Sequence, residues 1–98
     1  MSLPVVFRLA AYDDIDAVHT SYESLRPGLG DDFVAEVGAT RARIGQNPQL
    51  YGVIGRGVRA AKVRRFPYVV YYLVEPNRVV IVAILHARRS SRAWQRRI

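Results

Sequence analysis

The sequence predicts an α+β fold in the order β-α-α-β-β-β, a helical hairpin packed on one face of a mostly antiparallel four-stranded sheet. Apolar residues recur at helical spacing through the first half of the chain. After the glycines at 52, 55 and 57 the pattern changes to strand-length apolar runs separated by turn residues. Half of the 98 residues are apolar and 23% are charged, which is material for one packed core and too little chain for two domains. Residues 1–98 are therefore expected to form one domain, with 88–98 as a basic C-terminal tail.

Each element has its own signal. Residues 5–12, VVFRLAAY, are β-branched and apolar around Arg8 and read as a first strand. Asp13 is placed to cap a helix, with Asp16 where the helix dipole favours a carboxylate, and Ile15, Val18, His19, Tyr22 and Leu25 follow on one stripe. The segment RPGLG at 26–30 breaks that helix. A second helix is expected from Asp31 and Asp32 to Gln46, with Phe33, Val34, Val37, Thr40 and Ile44 on one side and Asn47-Pro48 as its stop. The short connection implies an antiparallel hairpin.

The glycines at 52, 55 and 57 read as a loop. In VRAAKVRR, 58–65, strict alternation places Lys62 and Arg64 on one face and Ala61, Val63 and Arg65 on the other. Pro67 interrupts, and Tyr68 to Glu75 form the next strand, with Tyr68, Val70 and Tyr72 opposed to Val69, Tyr71 and Leu73. Glu75-Pro76-Asn77-Arg78 fits a tight turn. The final strand, RVVIVAILHA, is apolar on both faces, so it should be covered by helices on one side and by another element on the other.

Composition narrows the function classes. Without cysteine there are no disulfides, thiolate metal sites or cysteine nucleophiles, which fits a reducing cytoplasm. Arg8 interrupts the N-terminal apolar stretch before it reaches signal-peptide length, and the longest later run, VVIVAIL, is strand-length, so secretion and membrane spanning are disfavoured. Charge is polarised along the chain. Residues 1–55 carry four arginines against seven carboxylates, a net −3, whereas residues 56–98 carry eleven basic residues against Glu75 alone, a net +10. Such a field draws in polyanions or acidic protein segments.

The stretches GDDFVAEVGATRARIGQNP and RRFPYVVYYLVEPNRVVIVAILHARR resemble the RelE/ParE superfamily of toxins from type II toxin-antitoxin systems, also called plasmid stabilisation proteins. The resemblance spans about residues 5–90. Its most distinctive parts are the FPYVVYY strand and the LHARR ending, which are similar to the ParE-like pattern. The resemblance implies a small cytoplasmic toxin that arrests growth, needs no cofactor and is neutralised in a hetero-oligomer by a cognate antitoxin. ParE-like members inhibit DNA gyrase without hydrolysing RNA; RelE-like members are ribosome-dependent messenger RNA endoribonucleases. A third reading is an inactive homologue that survives as an antitoxin-binding protein.

The ribonuclease reading is testable against residues. Attack by the RNA's own 2′-hydroxyl requires a base, a cation for the phosphorane and a donor for the leaving oxygen. By resemblance, Lys62, Arg64 and Arg88 match basic positions of RelE-like enzymes. The arginine those enzymes carry inside the FPY strand is replaced by Val69, and their C-terminal tyrosine falls near Trp94, which cannot exchange a proton. The acid-base set is incomplete, which favours the ParE-like, non-hydrolytic reading. The expected target-facing surface comprises Lys62, Arg64, Arg65, Tyr68, His86, Arg88, Arg89 and Trp94.

Each of these residues also has a structural reading. His86 ends an apolar strand and suits a hydrogen-bonded structural role; the tyrosines suit sheet packing. His19 lies on the apolar stripe of the first helix. Two histidines far apart, without an i, i+4 partner, give no support to a metal site. The tail ARRSSRAWQRRI is either a helix that docks Trp94 and Ile98 on the sheet or a free basic hook.

Overall fold

The computed structural model describes residues 2–89 and 92–98. Its elements are β1 (Val5–Phe7), α1 (Leu9–Leu25), α2 (Leu29–Gln46), β2 (Val53–Gly55), β3 (Val58–Lys62), β4 (Tyr68–Val74), β5 (Val79–His86) and α3 (Arg92–Gln95). One sheet of order β1-β5-β4-β3-β2 runs through the molecule, antiparallel except for the β1–β5 pair. The α+β class and the helical hairpin are as expected, but the sheet has five strands, not four.

The added strand comes from the glycine stretch. Gly55 pairs with Val58 across the two-residue loop Arg56-Gly57, whose φ angles of 52° and 78° are both positive. Positive φ at both central positions is what a tight type I′ hairpin requires. An arginine in the first of them gives a weaker sequence signal than asparagine or aspartate would.

The first strand is shorter than its composition suggests. It stops at Phe7, and α1 starts at Leu9, because Leu9, Ala10 and Ala11 are strong helix formers. Asp13 therefore lies inside the helix; the cap position is Arg8, with extended backbone and no side-chain cap bond. α2 likewise begins two residues before Asp31, after Gly28 at φ 89°.

The hairpin is closed by one carboxylate. Glu23 on α1 accepts hydrogen bonds from the backbone N–H groups of Gly28 and Asp31, both 3.1 Å, and so satisfies donors that the start of α2 leaves unpaired. At Gly30 the helices meet. A Cβ there would lie 2.5 Å from the His19 carbonyl oxygen and 2.8 Å from its ring, so only glycine permits this approach.

Two apolar layers flank the sheet. The hairpin face buries Phe33, Val37, Ile44, Ala61, Val63, Phe66, Val70, Tyr72, Ile81 and Ile84; the opposite face buries Val58, Tyr71, Val80, Val82, Ala83 and Leu85. The second layer is covered by Trp94 of α3, which stacks on Tyr71 at 6.2 Å between ring centroids and 18° between planes. The docked-helix expectation holds for Trp94, since an indole ring of this size gains more by burial than by standing in water, but not for Ile98, which lies beyond α3 and is exposed.

Within β5 the side chains change phase. Ile81 lies in the hairpin layer, Val82 and Ala83 both lie in the other, and Ile84 returns to the hairpin layer. The ladder with β4 records the same slip, Tyr71 opposing Ala83 and Tyr72 opposing Ile81. One extra residue is thereby accommodated as a bulge. The neighbouring strand edge is closed by side chains, because β1 ends opposite Ile81. The Ile84 N–H donates to Asp14 Oδ2 at 2.9 Å, and the Arg97 guanidinium binds Asp14 through both carboxylate oxygens, at 2.8 and 2.9 Å, while also reaching the Val82 carbonyl. Arg8 in turn donates to the Arg97 carbonyl.

Candidate functional site

The C-terminal end of β3, the start of β4 and the end of β5 lie side by side. Lys62 pairs with Val69 and Tyr68 with His86, and the Ala87 N–H donates to the Pro67 carbonyl at 2.8 Å, joining the β3–β4 turn to the segment after β5. This end of the sheet gathers seven of the eight expected target-facing residues: Lys62, Arg64, Arg65, Tyr68, His86, Arg88 and Arg89. Trp94 is not available as a contact residue, being 3% exposed beneath α3.

The seven do not share one face. Lys62 opposes Val69, whose side chain belongs to the Trp94 layer, whereas Tyr68 and the Tyr68–His86 pair lie on the hairpin side. Lys62 Nζ donates to the Phe66 carbonyl at 3.2 Å and so braces the turn that follows its strand. Arg65 does not continue the strand alternation. It sits in the turn at φ 72°, with its guanidinium 3.8 Å from Asp32 and 3.7 Å from Glu36 of α2 and 5.7 Å from the Phe66 ring centroid. Arg64, Arg88 and Arg89 are exposed, and among the described residues their side chains form no hydrogen bond or ion pair.

Tyr68 and His86 are held by aromatic packing. Tyr68 meets Phe33 edge-on at 5.3 Å, Tyr22 at 6.2 Å and the His86 ring at 5.3 Å. Burial, with the neighbouring Tyr68 as a smaller cause, raises the Tyr22 pKa. His86 Nδ1 accepts the Arg88 backbone N–H at 3.0 Å, which leaves the proton of a neutral imidazole on Nε2. A shallow cleft of about 150 Å³ opens beside the pair, bounded by Asp14, Val18, Ile84 and Arg89.

Of the ribonuclease candidates, the Lys62 amine is engaged by the Phe66 carbonyl, and Val69 stands in β4 where RelE-like enzymes carry an arginine. A base and a leaving-group donor converging on one phosphate are not formed by Lys62, Arg64 and Arg88. The guanidiniums instead offer several charged donors at one end of the sheet.

A second cluster escaped the sequence reading. His19 Nε2 lies 2.9 Å from Asp31 Oδ1 and 4.0 Å from Glu23, its i, i+4 neighbour, so the expectation that this histidine lacks such a partner is corrected. Glu23 already accepts two N–H groups at the start of α2, whose positive dipole end repels a cation; the cluster reads as a hairpin clasp. Asp14 and Arg97 also escaped. Asp14 falls between Ala11 and Val18 on the buried stripe of α1, and a carboxylate at such a position signals a buried partner.

Between α1 and α2 runs a larger groove than that cleft, about 530 Å³, lined by Phe7, Ile15 and Val37 and by the exposed Tyr12 and Val34. No helix among the described residues is long and apolar enough to cross a membrane.

Comparison with known proteins places this geometry. Residues 5–91 match the family described as ParE toxin of type II toxin-antitoxin system, parDE. Among solved structures, the chain is similar to the chromosomal ParDE toxin-antitoxin system from P. aeruginosa, at 21% identity, covering 87% of this chain and 96% of that one with a TM-score of 0.77. It is also similar to the toxin-antitoxin complex RelBE2 from Mycobacterium tuberculosis, at 21% identity over 88% and 92% of the two chains with a TM-score of 0.63. No curated protein matches.

Proposed function

This chain belongs to the ParE toxin family of type II toxin-antitoxin systems, and we propose that it arrests growth by inhibiting DNA gyrase while a cognate antitoxin holds it inactive. The observation that supports this choice of target is that Lys62 Nζ is engaged by the Phe66 carbonyl and its strand partner is Val69, so this end of the sheet offers guanidiniums without a free amine. It supports a surface that grips a target and not a centre that cleaves RNA. Under this reading the contact residues are Arg64, Arg88 and Arg89, with Lys62, Arg65, Tyr68 and His86 fixing the shape of the sheet end.

The antitoxin reading rests on two exposed features. The groove between α1 and α2 suits the apolar face of an amphipathic helix, and the outer edge of β2 suits an extended segment, whereas at the β1 edge Arg41 already holds the Val5 carbonyl. Acidic residues in such a segment would be drawn to the basic half.

Supercoiling of relaxed plasmid by gyrase, with the purified chain titrated in and antitoxin added back, tests the proposal. Dose-dependent inhibition or trapped DNA breaks, reversed by antitoxin, is the expected result. No effect at large excess, with growth arrest on expression, would move the target to the ribosome and its messenger RNA; no growth arrest at all would leave an antitoxin-binding homologue.

A further inference from the structure

Folding uses up most of the chain's cations. Arg97 is spent on Asp14, Arg65 on Asp32 and Glu36, Arg78 on Glu75, and Arg59 and Lys62 on main-chain carbonyls. Three of those that remain, Arg64, Arg88 and Arg89, stand exposed at one end of the sheet, and among the described residues none of them is ion-paired; Asp14, which lines the cleft beside Arg89, is already bound by Arg97. Exposed like charges gathered at one end of a molecule create a positive field that draws in a polyanion.

We propose that this end of the sheet, Arg64 with Arg88 and Arg89, is a binding site for the phosphodiester backbone of nucleic acid, with the His86 ring as a further donor. The inference deepens the reading of this end as the target-facing surface and rests on it. Arg64 stands in the β3–β4 turn, and Arg88 and Arg89 follow β5, so β4 separates them. Two strand spacings make that about 10 Å. Duplex DNA presents a charge every ~1.7 Å of its axis, so cations spread over this span meet several phosphates at once. The Ala87–Pro67 hydrogen bond ties the two segments together, which fixes their spacing before any ligand arrives. Because its Nδ1 already accepts the Arg88 N–H, the neutral His86 ring has a donor and no acceptor left, which suits a phosphate oxygen. Guanidinium-to-phosphate contacts carry no base information, so binding is expected to be independent of sequence.

Fluorescence anisotropy with a labelled short DNA duplex, and with single-stranded DNA and RNA of the same length, tests the site without gyrase present. The expected result is saturable binding at about 50 mM salt, with log K falling against log salt by about 3 per decade for three neutralised phosphates on the duplex. The triple variant R64A/R88A/R89A should lose tenfold or more in affinity and most of that slope. R56A/R78A, which removes two arginines at the opposite end of the sheet, should bind as the parent does. The order of affinity among the three polymers shows which nucleic acid the site takes. No saturable binding to any of them, or equal binding by a triple variant that unfolds at the parent's temperature, overturns the proposal. Nucleic-acid binding without gyrase inhibition would keep this site and sink the gyrase reading instead.

Discussion

At the scale of single residues, two ionisable side chains make the stability of this fold depend on pH in opposite directions. Hydrogen bonds from the Gly28 and Asp31 N–H groups hold the Glu23 pKa below its ordinary value of 4.5. The folded carboxylate stays ionised to lower pH than the unfolded one, so its contribution is present above 4.5 and fades as pH falls through the lowered value. Replacing Glu23 by glutamine should flatten the acid limb of stability measured by urea unfolding; an unchanged limb would remove Glu23 from this role. Tyr72 acts at the other end of the scale. Burial pushes its pKa from 10.0 up to about 12, against the opposing pull of Arg59. The unfolded chain releases this proton first, so stability is intact below 10 and is lost as pH rises towards 12. Tyr72→Phe should weaken that alkaline loss, leaving the share of Tyr22 and Tyr71, whose values are also raised. It should also cost about 1 kcal/mol at neutral pH for the lost bond to the Pro48 carbonyl. Gly30→Ala should cost about 2 kcal/mol, because the new methyl group meets backbone that cannot move aside.

At the scale of elements, the short helix α3 matters more than its four residues suggest. It closes the second apolar layer with one indole ring, and Arg97 just beyond it ties the chain end to α1 and β5 through Asp14. Trp94→Ala should destabilise by about 3 kcal/mol. Asp14→Asn should cost about 2 kcal/mol, since it leaves the Arg97 guanidinium, 26% exposed, without its countercharge. Thermal unfolding reads both; a shift of only a few tenths of a kcal/mol in either would show that the tail merely rests on the sheet. Helices and strands longer than five residues were legible in the sequence because their apolar periods are long. The short pieces were not. β1 was overextended because Leu9 to Tyr12 suit a strand by apolarity and a helix by propensity, and only the second mattered. β2 gives no strand signal because three residues carry no period.

At the scale of the whole molecule, the charge asymmetry read from the sequence became a spatial one. Carboxylates Asp13, Asp16, Asp31, Asp32 and Glu36 ride on the hairpin, while Arg64, Arg88 and Arg89 leave the end of the sheet. An antitoxin whose acidic segment reaches the basic end should therefore bind more weakly as salt rises, and one that uses only the apolar groove should not. Calorimetry of the complex at two ionic strengths separates the cases. The residues of the candidate site were legible because arginines beside a turn stand out in a row of letters. Their division between two faces was not, since it depends on which way β4 and β5 present alternate side chains. That division returns to the slip at Val82 and Ala83 in β5. Every position beyond it has its orientation set by one surplus residue, so the direction in which His86 points is decided four residues upstream, by a count and not by a contact. Strict alternation from Ile81 without that slip would instead turn the terminal imidazole to the Trp94 side. Whether one residue of this strand is absorbed as a bulge or kept in the alternation thus decides which chemistry stands at the same corner of the same fold.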